Sequence, residues 1–67
     1  MKWISIEERL PKKGIDVLVY GFHSIDIAFY DTKEDNKPYW VRDDGYELDF
    51  YAITHWMKLP NPPKKEK

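Results

Sequence analysis

Two histidines, four aliphatic hydroxyls and a cluster of carboxylates are what this sequence offers for chemistry. His23 stands beside Ser24, but adjacency in sequence does not make a nucleophile and its base, which must converge in space with a third orienting group. Ser5, Thr32 and Thr54 have no better partner in the sequence, and there is no cysteine. Asp43, Asp44, Glu47 and Asp49 surround Gly45. A turn of this kind supplies no apolar surroundings to raise one carboxyl above its neighbour, as acid–base work requires. The same stretch lacks the spacing of a calcium loop. Two histidines without cysteine, and not at i, i+4, do not make a zinc site. The expectation is therefore a protein that is not an enzyme, with no metal and no cofactor. His55 has two readings: a ligand contact or proton carrier, or a histidine at the edge of the core with its ring nitrogens hydrogen-bonded. The second fits an aromatic-rich core better. His23 reads as an exposed turn residue.

The elements that must position these residues are short strands. Asp16-Val17-Leu18-Val19-Tyr20 is an unbroken apolar run behind one aspartate, between Gly14 and Gly21. It reads as a central strand covered on both faces. Gly21 to Ser24 connects it to Ile25–Tyr30, where Ile25, Ile27 and Phe29 share one face at period two, so the pair should form an antiparallel hairpin. Asp31 to Pro38 reads as an exposed loop, Tyr39-Trp40-Val41 as a short edge strand, and Arg42 to Gly45 as a turn. Glu47 to Phe50 is ambiguous. Tyr51 to Met57 reads as the last strand and should lie near Trp3-Ile4. Ser5-Ile6-Glu7-Glu8 matches a capping box, but Leu10-Pro11 stops the helix within one turn. The expected domain covers residues 1–60, with a flexible tail over 61–67.

A chain of 67 residues without cysteine is near the lower limit for an independent core. Three Trp, five Tyr and three Phe are its means of reaching one; oligomerisation is the other, so a homo-oligomer stays open. There is no apolar run long enough to span a membrane and no secretion signal, so the expected setting is cytoplasmic. Net charge is −1, but between Asp16 and Asp49 nine acidic residues stand against three basic ones, a balance of −6, while both ends are basic. Such an acidic body would steer a cationic partner. Lys2, Arg9, Lys12 and Lys13 near Trp3 could stack and pair with nucleic acid, but the overall acidity argues against it.

Three segments resemble a known family: Trp3-Ile4-Ser5-Ile6 with Arg9-Leu10-Pro11, then Gly14 with Val17-Leu18-Val19, then Ile53-Thr54-His55-Trp56-Met57 with Leu59-Pro60. Together they resemble the small domain of unknown function numbered 551, found mostly in phage and prophage proteins. The closing Thr-His-Trp-Met-x-Leu-Pro run is the specific part. Lys58 stands where the family often has proline. The resemblance implies a phage or bacterial origin and a compact β fold, and it carries no activity over.

The expected fold is mostly β: a small curled antiparallel sheet of three to five strands with at most one short helical turn. The expected function is a non-enzymatic phage- or prophage-type binding protein acting on a host protein surface, with a host or phage protein as partner. Its contact surface would be Tyr39, Trp40, Asp43, Asp44 and Tyr46, Trp40 being exposed on an edge strand that needs a cover. One alternative is a homo-oligomeric binder or sponge for a small nucleotide-type ligand, with Arg9, His55 and Lys58 as anion contacts. Another is a structural or accessory domain.

Overall fold

The computed structural model describes residues 2–60. They form one six-stranded antiparallel sheet from β1 (Ile4–Ser5), β2 (Val17–Gly21), β3 (Ser24–Thr32), β4 (Pro38–Arg42), β5 (Glu47–Asp49) and β6 (His55–Lys58), in the order β1-β6-β2-β3-β4-β5. A single 3-10 turn, Phe50–Ala52, lies between β5 and β6. The tail expected over 61–67 lies outside the described residues.

β2, β3, β4 and β5 follow one another as hairpins, each set by its turn. Gly21 pairs with Ser24, leaving Phe22 and His23 as a two-residue loop. Asn36 turns the β3–β4 connection at positive φ, with its N–H on the Lys33 carbonyl at 2.8 Å. Gly45 turns the β4–β5 connection at φ 90°. β6 then departs from the meander. It crosses the sheet to insert between β1 and β2, where Ile4 pairs with Trp56 and Tyr20 with His55. The expected proximity of Trp3-Ile4 to the last strand is thus a β ladder.

That crossing explains two departures from the sequence reading. The expected strand from Tyr51 to Met57 begins only at His55, because Phe50–Ile53 must run over the sheet rather than within it. Asp49 starts the 3-10 turn by accepting the Tyr51 N–H at 3.0 Å. Gly21 permits the close approach: a Cβ there would sit on the Ala52 carbonyl oxygen, so only glycine lets the crossing chain settle on β2. The sheet, moreover, is not curled. It has six strands rather than three to five, and it is open, with β1 and β5 as its two edges and no ladder between them. Edges of two and three residues are too short to meet across a closing barrel or to supply its stagger. β4 is not an edge strand, since Glu47–Asp49 pairs along it.

Strand alternation divides the sheet into two faces. The inner face carries Val17, Val19, Ala28, Trp40 and Trp56, covered by Ile53 and flanked by Ile6, Leu48 and Phe50. Both buried tryptophans use their indole N–H to hold a covering segment: Trp40 donates to the Phe50 carbonyl at 3.2 Å, Trp56 to the Arg9 carbonyl at 2.9 Å. Ser5 anchors the single turn that follows β1, its carbonyl accepting from Glu8 and Arg9 and its hydroxyl from the Glu7 N–H. The outer face carries Leu18, Tyr20, Ile27, Phe29, Val41 and Met57, opposite those core positions in the same registers.

Candidate functional site

The two-residue β2–β3 loop fixes the most exposed large hydrophobic side chain among the described residues. Positive φ at Phe22 (52°) and His23 (63°) is what a tight type I′ turn requires. Asn and Gly adopt it readily; a bulky phenylalanine there carries backbone strain. The hairpin tip holds the Phe22 ring 81 % exposed, and His23 is exposed beside it, as its sequence position indicated.

Two further rings join it. Tyr51 leads out of the crossing segment, 80 % exposed, its ring edge-on to Phe50 with centroids 5.0 Å apart. Tyr46, at the end of the β4–β5 turn, is 60 % exposed. The three line one open cleft of about 430 Å³, together with Glu47, Leu48, Asp49 and Ala52.

The turn that presents Tyr46 is braced by charge. Arg42 makes a bidentate pair with Asp44, Nε to Oδ1 at 3.2 Å and the terminal nitrogen to Oδ2 at 2.8 Å, and its guanidinium lies 5.0 Å from the centre of the Tyr46 ring. Asp44 Oδ1 also accepts the Tyr46 N–H at 3.1 Å. The Arg42 hydrogen bond first, then the Tyr46 N–H, hold the Asp44 carboxyl below the ordinary aspartate range, while Asp44 raises Arg42. Lys33 pairs with Glu47 at 2.9 Å, which raises the ammonium's pKa, and lies over the Tyr39 ring. These pairs are exposed and contribute little to stability. They set the shape of the turn.

The sequence-derived contact set divides accordingly. Tyr46 is exposed at the cleft. Asp43 is exposed and its N–H is bound to the Ile27 carbonyl, while Asp44 is committed to Arg42. Tyr39 is half-buried on the outer face. Trp40 has no exposed surface at all: β5 pairs over its strand, and its ring packs 5.6 Å from Tyr30 in the core. The exposed tryptophan is Trp3, which stands 6.1 Å from Tyr20 on the outer face.

Within one chain, His55 and Lys58 lie on opposite faces of the sheet. His55 is half-buried on the outer face in a shallow recess of about 270 Å³ with Trp3 and Tyr20, its Nδ1 2.9 Å from the Thr54 hydroxyl. Lys58, three residues on, lies on the opposite face, in a groove of about 350 Å³ with Leu10, Lys12, Ile15 and Trp56. Arg9 enters the structure through its carbonyl.

Sequence reasoning missed Phe22 and underweighted Tyr51. The signal for Phe22 was present: a Gly-x-x-Ser connection between two strands is a two-residue loop, and its central side chains project outward. The exposure of Tyr51 follows from the crossing segment, which only the Gly21–Ala52 approach reveals.

Among the described residues, no polar or charged side chain is fully buried, no three potential ligands cluster as for a metal ion, and no helix is long and apolar enough to cross a membrane. No solved structure matches the chain. A curated relative, the "Uncharacterized 7.8 kDa protein in ral-gp17 intergenic region" of Salmonella phage P22, is 30 % identical over 73 residues, covering 97 % of this chain and all of the relative. A family model matches residues 2–64, a range that includes every strand of the sheet that places these rings, and the chain belongs to that family, a small phage- and prophage-associated group described as "Protein of unknown function (DUF551)".

Proposed function

We propose that this chain is a non-enzymatic binding protein of phage or prophage type that occupies a host protein surface, with Phe22, Tyr46 and Tyr51 as its contact. The observation that carries this reading is the convergence of three largely exposed rings on one open cleft. Exposed clustered aromatics are the residues that dominate protein interfaces. The backbone N–H groups of Tyr46 and Tyr51 are pinned by Asp44 and Asp49, and Phe22 sits in the turn closed by the Gly21–Ser24 pair, so little freedom is lost on docking. Glu47 and Asp49 line the cleft and favour a partner whose apolar socket is bordered by Lys or Arg. Occlusion of such a surface needs no proton transfer and no nucleophile.

The test is a paired capture experiment. Wild-type protein and the double variant Phe22→Ser/Tyr51→Ser serve as baits in a bacterial host lysate, with recovered proteins quantified by mass spectrometry. Both positions are exposed, so the variant keeps its core. A host protein retained by the wild type should fall about 30-fold or more with the variant, the effect of losing an interface hot spot. Equal recovery on both baits would contradict the reading.

A further inference from the structure

The outer face of the sheet is built like the inside of a sandwich. Met57, Leu18 and Ile27 form one continuous row across β6, β2 and β3, and Phe29 and Val41 continue it across β3 and β4. β3 gives this face Ile25, Ile27 and Phe29, and gives the core face Ser24, Asp26, Ala28 and Tyr30. Both isoleucines and the phenylalanine of β3 thus point away from the segments that cover the core. A sheet with one solvated face alternates the other way. The segments that leave the sheet plane, around Ile6, Phe50 and Ile53, pack on the inner face. β2, apolar at consecutive positions, has Trp3 against Tyr20 at one end of its outer side and, among the described residues, no covering segment over Leu18.

We infer that this face docks a second copy of the chain, giving a face-to-face two-fold dimer with the two sheets as its layers. Area supports a second copy. The 28 residues of the six strands, at about 3.4 Å rise each and about 4.8 Å between strands, give a face on the order of 500 Å². Two such faces bury on the order of 1,000 Å², the lower bound for a specific interface. Charge supports it too. The centre of the face carries no Asp, Glu, Lys or Arg; those residues (Asp31, Lys33, Glu47, Asp49) sit at the β4–β5 end. A two-fold axis along the strands lays this acidic end over the partner's uncharged Trp3–Tyr20 end, and no like-charged rims meet. The aromatic cleft, floored by the inner-face residue Leu48, points away from the pairing, so the dimer displays two cleft copies outward.

The test is the mass of the purified full chain, by light scattering and native mass spectrometry over a concentration series. The wild type should be dimeric above a dissociation constant in the micromolar range. Ile27→Lys should be a monomer with an unchanged circular dichroism spectrum and at least about a hundredfold weaker association. Ile27→Glu should behave alike, and an equimolar mixture of the two should restore a folded heterodimer, a readout that holds even if either variant alone unfolds. A wild type that stays monomeric at hundreds of micromolar would overturn the inference, as would an Ile27→Lys protein that remains dimeric or a mixture that fails to pair. Phe22→Ser/Tyr51→Ser leaves the outer face intact and should stay dimeric, so failure of the cleft and failure of the dimer are separable.

Discussion

Phe22 carries the clearest tension between stability and exposure in this chain. A phenylalanine at φ 52° followed by a histidine at φ 63° fills a turn that Asn-Gly fills without strain. Phe22→Asn with His23→Gly should therefore stabilise the protein by about 1–2 kcal/mol, raising Tm by roughly 4–8 °C per kcal/mol in a domain of this size, while host-protein capture falls. An unchanged or lower Tm in thermal unfolding would show that the turn is not strained. Asp44 makes a second prediction at this scale. Its carboxyl is held low by Arg42 and the Tyr46 N–H. A group depressed in the folded state stabilises above its unfolded pKa, near 3.9, and loses that contribution as pH falls through its folded value. An NMR titration should place Asp44 below the ordinary aspartate value in the wild type and higher in Arg42→Ala, where only the Tyr46 N–H still lowers it; equal midpoints would contradict the pairing.

Among the elements, the crossing segment Phe50–Ile53 decides most and was least legible. β2 could be read from its unbroken apolar run, and the β2–β3 hairpin from period-two alternation and a four-residue Gly-x-x-Ser connection. Tyr51-Ala52-Ile53-Thr54 has the composition of a strand, yet it makes the 3-10 turn and the crossing, because the Trp40 indole and Gly21 hold it from elsewhere in the sheet. Such long-range contacts override local propensity. Trp40 was misjudged for the same reason: whether β4 is an edge depends on Glu47–Asp49, whose two acidic residues give a weak strand signal. Gly21→Ala should cost about 1–3 kcal/mol as the Ala52 carbonyl is displaced, and Trp40→Phe about 2–3 kcal/mol as the Phe50 carbonyl loses its donor and a void opens. Urea unfolding midpoints check both. A Gly21→Ala protein as stable as the wild type would mean the crossing does not rest on β2.

At the scale of the molecule, a single open sheet with one thin cover has two surfaces left to use. The outer face is broad, apolar and uncharged at its centre, suited to a copy of itself. The cleft is open, aromatic and lined in part by Glu47 and Asp49, suited to a different protein. A dimer with two clefts would hold a multimeric or repeated host surface more tightly than either cleft alone, through effective concentration. The expectation that this is a small phage-type β protein could be read from its Trp-Ile-Ser opening and Thr-His-Trp-Met-x-Leu-Pro close. The placement of its contact rings could not, because the fold brings the β2–β3 turn with Phe22 beside Tyr46 and Tyr51, which lie far from it in sequence. The most direct measurement is photo-crosslinking in living host cells, with a benzoylphenylalanine placed at position 22 and, as a control, at the exposed position 12. A discrete adduct with one host protein from position 22, and none from position 12, is the expected result. No adduct at 22, or the same adduct from both positions, would contradict a binding role for the aromatic cleft.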